Sequence, residues 1–155
     1  MTEPIPFQES TPEKVDVKTL EPGADLTDAF DIRRQVFHTE QGIDEAVDFD
    51  GRDKDSDQFV AYLGDMPVGT ARARYLEDGI GKVERVAILE QYRGREYGLL
   101  IMQHILDHLK KKGTKKVVLE SQVYAAPFYE KLGFIRIGNE FDEVGIPHIK
   151  MEKEL

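Results

Sequence analysis

Residues 83–113 hold the side chains whose types and spacing most clearly suggest a ligand-binding site. A short apolar run, Val86-Ala87-Ile88, precedes the loop Arg93-Gly94-Arg95-Glu96-Tyr97-Gly98, and apolar residues at helical spacing follow the loop. The first N–H groups of a helix lack backbone partners and lie at the positive end of the helix dipole. Because Arg93 and Arg95 add positive charge there, the loop predicts a site for an anionic group such as a pyrophosphate.

The elements that must position this loop are predicted from hydrophobic periodicity. Alternation indicates a strand at 15–20, and helical spacing indicates a helix at 26–37. Three sequential antiparallel strands are expected at 59–63, at 68–75 and around Val83, before a helix that ends at Gly113. Beyond it we expect a strand at 117–119, a short helix at 128–132, and strands at 134–137 and 148–151. This order predicts an α+β fold with mixed strand pairing.

Two segments outside these elements differ from them in composition. Three prolines among polar residues predict that residues 1–14 form a flexible N-terminal arm, which leaves 15–155 as a single domain. The segment 42–58 is rich in Asp and poor in large apolar residues, so it is expected to be a loop that lies over the surface.

Composition narrows the classes of function. The chain has 155 residues, with 21 Lys and Arg against 30 Asp and Glu, and the resulting net charge of −9 opposes a nucleic acid or an anionic membrane as the main partner. Cysteine is absent, which excludes disulfides, thiolate metal sites and a covalent cysteine mechanism. The sequence has no apolar run near the roughly 18 residues that span a bilayer, and no basic leader. We therefore predict a cytoplasmic protein.

Two motifs, in the order in which they occur, resemble the GNAT superfamily of acetyl-CoA-dependent N-acetyltransferases. The loop 93–98 is similar to the superfamily pattern R/Q-x-x-G-x-G/A, and the segment 126–134, APFYEKLGF, is similar to its A-x-x-F-Y-E-K-L-G-F segment. Segments 36–42, 67–72 and 145–149 look like the ElaA/YjcF-type branch. The resemblance covers residues 15–152 and implies a GNAT-type twisted, mostly antiparallel sheet flanked by helices. Glu96 departs from the pattern because it occupies the position of the middle glycine.

The resemblance implies acetyl-CoA as co-substrate. The residues expected to contact it are Val86, Ala87, Ile88, Arg93, Gly94, Arg95, Glu96, Tyr97, Gly98 and Phe128. No metal is expected, because neither His104 with His108 nor the run Asp53-x-Asp55-x-Asp57 completes a zinc-protease or EF-hand pattern.

Acetyl transfer from a thioester to an amine needs a base for the amine and a proton for the departing thiolate. Tyr129 matches the tyrosine that lies near the thioester sulfur in many superfamily members, and a phenol can return a proton to a thiolate. Glu84 is the first candidate base because it lies on the strand beside the expected thioester. Pairing of Glu84 with Arg72, Arg74 or Arg85 across neighbouring strands is the structural alternative.

His148 is a second candidate base, since an imidazole titrates near neutrality, and a packed or capping histidine is its alternative. Arg33, Glu40 and Gln41 are expected to bind the acceptor, because substrate loops in this superfamily cluster at the end of the first helix. The expected acceptor is a primary amine of a small molecule or peptide, and a small molecule is favoured over a protein. A homodimer is compatible with the sequence. The alternative function is an acyl-CoA-binding sensor or interaction module without catalysis, for which Glu96 is the motivating residue.

Overall fold

The computed structural model describes residues 14–155, and the strands of this part of the chain form one seven-stranded sheet. They are β1 (Val15–Leu20), β2 (Asp57–Leu63), β3 (Met66–Tyr75), β4 (Ile80–Ile88), β5 (Lys116–Gln122), β6 (Ile135–Glu143) and β7 (Ile146–Glu154). Their order across the sheet is β1-β2-β3-β4-β5-β7-β6, and all neighbours are antiparallel except β4 and β5. The predicted α+β fold with a mixed, mostly antiparallel sheet is therefore confirmed.

Helices cover both faces of this sheet. They are α1 (Thr27–Arg33), α2 (Glu45–Asp48), α3 (Tyr97–Lys111) and α4 (Ala126–Lys131), with a π-helix, Arg34–Glu40, continuing directly from α1. Short 3₁₀ turns lie at Asp53–Asp55, Glu90–Tyr92 and Val123–Ala125. The long helix α3 stops close to the predicted position, because Gly113 adopts a left-handed φ of +88° that ends the helix.

The apolar residues form a separate cluster on each face of the sheet. On one face, Ile101, Met102 and Ile105 of α3 are fully buried against strand residues such as Phe59 and Val83. The other face carries a smaller cluster from α1, the π-helix and the strands beneath them: Ala29, Ile32, Val36, Phe37, Val60, Ala87 and Leu89. The two helical layers pack on opposite faces of the sheet and hold its central strands in place.

Strands β4 and β5 separate soon after they meet. They pair at three positions only, from Ile80 opposite Lys116 to Lys82 opposite Val118. Further along β4, Arg85 has a left-handed φ of +58°, and the register with β3 shifts between Thr70 and Arg72. Such a bulge bends a strand and changes the direction of its side chains. The remaining residues of β4 and β5 therefore border an open gap in the sheet.

Three regions differ from the prediction or lie outside the described residues. The segment 42–58 is not only a surface loop, since it contains α2 and a 3₁₀ turn and begins β2. Strands β6 and β7 are longer than predicted, because ladder pairing between them extends through polar residues of low strand propensity such as Asp142 and Glu143. The predicted flexible arm, 1–14, lies almost entirely outside the described residues.

Candidate active site

A cavity of about 880 Å³ occupies the gap between β4 and β5. Its walls come from β4, β5, the start of α3, helix α4, the segment 43–52 and the β6–β7 hairpin. Most of the predicted site residues line it: Val86, Ala87, Ile88, Arg93, Gly94, Glu96, Tyr97, Gly98, Phe128, Tyr129, Glu84, His148 and Gln41. Arg33, Glu40 and Arg95 lie outside the wall. Residues that are distant in sequence therefore meet at one opening in the sheet.

The start of α3 forms the wall that suits an anion. Glu96 precedes the helix with a left-handed φ of +64°, and its carboxylate makes no capping hydrogen bond. Gly98 packs tightly, because a Cβ there would lie 3.3 Å from Cζ of Phe128. Tyr97 and Gly98 both line the cavity, so the first turn of α3, at the positive end of the helix dipole, lies at its wall. The backbone can serve as an anion site despite the side chain of Glu96.

Arg93 and Glu40, predicted to bind different ligands, bind each other. Arg93 donates from its two terminal nitrogens to the two carboxylate oxygens of Glu40, at 2.6 and 2.8 Å, and from Nε to the Ile88 carbonyl at 3.0 Å. The hydrogen bond to Glu40 raises the pKa of Arg93, so the guanidinium stays charged. Arg95 lies over the ring of Tyr92, 5.5 Å from its centroid. The Arg93–Glu40 ion pair connects the end of the π-helix to the loop before α3.

Tyr129 is held in one orientation by aromatic neighbours. Its ring lies 5.0 Å from that of Phe128 and 6.0 Å from that of Phe134, in edge-on geometry, and the residue is 8% exposed. Burial raises the pKa of the phenol well above its ordinary value of 10, and the nearby Tyr124 adds to this. The hydroxyl is protonated at neutral pH, as for any tyrosine, and burial makes it a weaker acid than an exposed phenol.

Glu84 lies in the cavity wall and pairs with arginines of the neighbouring strand, which is the structural alternative to a role as base. Arg74 donates from Nε to its carboxylate at 2.5 Å and Arg72 from Nη2 at 3.3 Å, while Lys82 lies 3.8 Å away. Burial alone would raise the pKa of Glu84, but the hydrogen bond from Arg74 and the charge of Arg72 outweigh it and lower the pKa. A carboxylate held in this way is a weak acceptor for an amine proton.

His148 lies on β7 opposite Gln122 of β5. Its Nδ1 is 2.7 Å from the carbonyl oxygen of Ile146, which assigns the proton to Nδ1 and leaves Nε2 as an acceptor. The ring stacks with that of Phe141, with centroids 5.9 Å apart. Gln41 lines the same cavity and exchanges amide hydrogen bonds with Gln122, the shorter at 2.9 Å. This amide pair connects the π-helix to the end of β5 across the gap.

Arg33 belongs to a buried ion-pair network and not to the cavity wall. It is 1% exposed and donates to Asp48 and Asp53, with terminal nitrogens 3.1 and 2.6 Å from carboxylate oxygens. The expected role in acceptor binding is not supported, because the guanidinium is fully enclosed by its partners. We call the set Arg33, Arg72, Arg85, Asp48, Asp50 and Asp53 the Arg–Asp network.

The Arg–Asp network holds the segment 43–56 over β3 and β4. Arg72 is fully buried and lies 2.7 Å from Asp50 and 3.1 Å from Asp53, while Arg85, at the β4 bulge, lies 2.8 Å from Asp48. Sequence reasoning did not find these pairs. The Asp-rich composition of the segment was the available signal, but periodicity does not reveal pairing between residues 15 or more positions apart. The network also brings Asp50 and Arg52 to the cavity wall.

Comparison with known proteins agrees with this geometry. The sequence model of the family described as "Acetyltransferase (GNAT) domain" matches residues 10–155. The chain belongs to the GNAT acetyltransferase family. This GNAT domain is 40% identical over 144 residues to the uncharacterized protein YyaT of Bacillus subtilis, covering 91% of this chain and 97% of that one. It is 36% identical over 130 residues to the uncharacterized N-acetyltransferase YjcF of the same organism, covering 83% and 92% of the two chains.

Solved structures share the fold over 91% of the chain. The crystal structure of Escherichia coli ElaA superposes with a TM-score of 0.83 at 27% identity, covering 91% of this chain and 100% of that one. A GNAT family acetyltransferase from Elizabethkingia anophelis, solved with acetyl-CoA bound, shares the fold with a TM-score of 0.71 at 15% identity, covering 91% and 98% of the two chains. The predicted likeness to the ElaA/YjcF-type branch is confirmed. Among residues 14–155, no helix combines the length and apolarity needed to cross a membrane.

Proposed function

We propose that this GNAT domain transfers the acetyl group of acetyl-CoA directly to a primary amine of a small molecule. The observation that carries the proposal is the gap between β4 and β5, which begins after Lys82 and Val118 and ends at the first turn of α3. Acetyl-CoA supplies the thioester that is the acetyl donor. The N–H groups of α3 fit its pyrophosphate, and the main chain around Val86 fits its pantetheine amides. The acetyl-CoA-bound GNAT structure of the same fold supports this choice.

The cavity residues divide the proton transfers between them. In the transfer, a bond forms between the amine nitrogen and the acetyl carbon, and the carbon–sulfur bond breaks. His148 accepts the amine proton through Nε2, since the Nδ1 position is occupied by its hydrogen bond to Ile146. Tyr129 donates its proton to the departing thiolate. We prefer His148 to Glu84 as the base, because Glu84 is held as an anion by Arg72 and Arg74.

A pair of glutamine variants tests the choice of base. We expect His148→Gln to lower kcat by about 10²-fold or more at unchanged acetyl-CoA affinity, because it removes the acceptor for the amine proton. Glu84→Gln should lower kcat far less and should instead lower stability, because Arg72 and Arg74 lose a partner. The opposite order of the two kcat values would transfer the role of base to Glu84.

A panel of acceptors tests the class of substrate. Thiol release from acetyl-CoA is measured with small primary amines and with peptides that offer an N-terminal amine or a lysine. We expect small amines to support release with the higher kcat/KM. Release with peptides alone would show a protein acetyltransferase. A cytoplasmic location and a homodimer stay predictions, and sedimentation of the purified protein tests the second.

Glu96 favours one alternative function. Its carboxylate lines the cavity beside the helix N-terminus, where it would repel a pyrophosphate if it turned inward. A protein that binds acetyl-CoA without turnover would act as an acyl-CoA sensor. Saturable binding with no thiol release across the whole amine panel would support that function and overturn ours.

A further inference from the structure

We propose that the acceptor of this GNAT domain carries a carboxylate as well as its amine, and that Arg52 binds this carboxylate. The inference rests on the proposed acetyl transfer and names the acceptor class more closely. It comes from the charged residues that line the cavity, several of which lie in segment 47–52, in β4 and in the β6–β7 hairpin.

The cations that line the cavity are neutralised by nearby carboxylates, with one exception. Lys82 lies 3.2 Å from Glu120, and the guanidinium groups of Arg74, Arg85 and Arg93 lie 2.5, 2.8 and 2.6 Å from Glu84, Asp48 and Glu40 respectively. Within the described part of the chain, Arg52 is the only lining arginine or lysine whose side chain has no ion pair or hydrogen bond. Its charge is the one available to an anion that enters the cavity.

The backbone of Arg52 is fixed although its side chain is exposed. Its N–H donates to Oδ1 of Asp50 at 3.0 Å, and its carbonyl accepts from the hydroxyl of Ser56 at 2.7 Å. Asp50 is bound in turn by Arg72, with the closest atoms 2.7 Å apart. Since the Arg–Asp network orders the segment before any ligand arrives, Arg52 is presented at the wall with little ordering cost on binding.

The remaining unpaired charges of the wall are carboxylates. Glu143 of the β6–β7 hairpin and Glu96 line the cavity, and neither forms an ion pair with another described residue. The cavity therefore attracts a cationic amine while it offers one unpaired cation, Arg52. An acceptor that carries both an ammonium and a carboxylate matches this arrangement, and Arg is suited to a carboxylate because two of its N–H groups can bind both oxygens.

The test compares amines that differ only in a carboxylate. Thiol release from acetyl-CoA is measured for amino acids and for the amines that their decarboxylation produces: lysine with cadaverine, tyrosine with tyramine, and 4-aminobutyrate with propylamine. Arg52→Gln removes the charge and Arg52→Lys retains it. Lys54→Gln is the matched control, because Lys54 is an exposed cation of the same segment that does not line the cavity.

We expect the wild-type protein to prefer the carboxylate-bearing member of a pair by about tenfold in kcat/KM, mainly through KM. Arg52→Gln should abolish the preference by raising KM for the carboxylate-bearing member of each pair, while Arg52→Lys retains part of the preference and Lys54→Gln retains all of it. Equal use of both members by the wild type, or a preference that survives in Arg52→Gln, would overturn the inference while leaving acetyl transfer intact. Absence of thiol release with every amine would overturn acetyl transfer itself and the inference with it.

Discussion

The hydroxyl of Tyr129 is the group on which the proposed proton transfer to the thiolate depends. Its ring is fixed by Phe128 and Phe134, so Tyr129→Phe removes the hydroxyl without disturbing the packing. We expect kcat to fall by about 10²-fold while the Kd for acetyl-CoA changes little. Stopped-flow thiol release and calorimetric titration measure the two quantities.

Tyr75→Phe is the control for this change, because Tyr75 is an exposed tyrosine whose hydroxyl binds Asp57 on β2 and does not line the cavity. It should leave kcat unchanged. Wild-type turnover in Tyr129→Phe would refute the role of the phenol as proton donor.

Glu96 combines a left-handed backbone with an unpaired carboxylate at the helix N-terminus. Glycine at this position removes both, since it adopts a positive φ without steric cost and has no charge. We expect Glu96→Gly to raise the free energy of unfolding by about 1 kcal/mol. The affinity for acetyl-CoA should rise roughly fivefold. Urea unfolding and calorimetric titration provide the measurements.

Glu96→Gln separates the two effects, because glutamine removes the charge and keeps the strained backbone. It should tighten acetyl-CoA binding without raising stability. If neither variant binds acetyl-CoA more tightly, the carboxylate of Glu96 points away from the pyrophosphate site.

The segment 43–56 depends on the ionised state of its carboxylates. Burial opposes the ionised form of Asp50, but the hydrogen bond and charge of Arg72 hold the pKa of Asp50 well below its usual 3.8, and Arg33 likewise lowers the pKa of Asp53. The unfolded chain therefore binds more protons than the folded chain as the pH falls below about 4. The contribution of these carboxylates to the free energy of unfolding is fully present above this pH. It should be lost progressively as the pH falls through the lowered pKa values of the folded state.

Urea unfolding between neutral pH and pH 3 measures this loss. Asp50→Asn should be less stable at neutral pH and should lose less on acidification than the wild type, because one of the responsible groups is absent. Asp65→Asn is the control, since Asp65 lies in the exposed β2–β3 turn and forms no ion pair with a described residue. An acid response in Asp50→Asn that is the same as in the wild type would exclude Asp50 as a source of the pH dependence.

Elements built from local patterns could be predicted from the sequence, and those built from distant pairing could not. The helix α3 and the β2–β3 hairpin follow from apolar spacing and from the Gly64-Asp65 turn. The full length of β6 and the bulge at Arg85 depend on partner strands, so no local pattern indicates them. The motif residues of the cavity, such as Gly98 and Tyr129, could be predicted from the sequence. Arg52 and Glu120 line the cavity only because the tertiary fold brings them there, so no local pattern indicates them.

At the scale of the whole molecule, the cavity lies in an acidic protein. The net charge of −9 disfavours polyanions at a distance, so an anionic co-substrate depends on local groups, chiefly the first turn of α3 at the positive end of its dipole. The same net charge favours approach of a cationic amine. Both expectations agree with a domain that receives acetyl-CoA at one part of the gap between β4 and β5 and the amine at another.

Titration of acetyl-CoA into the purified protein, followed by thiol release in the same samples against the amine panel, tests this account most directly. The account predicts saturable binding to one site per chain and thiol release that depends on both the amine and Tyr129. Binding without release would contradict the enzymatic function, and absence of binding would contradict the assignment of the gap as the acetyl-CoA site.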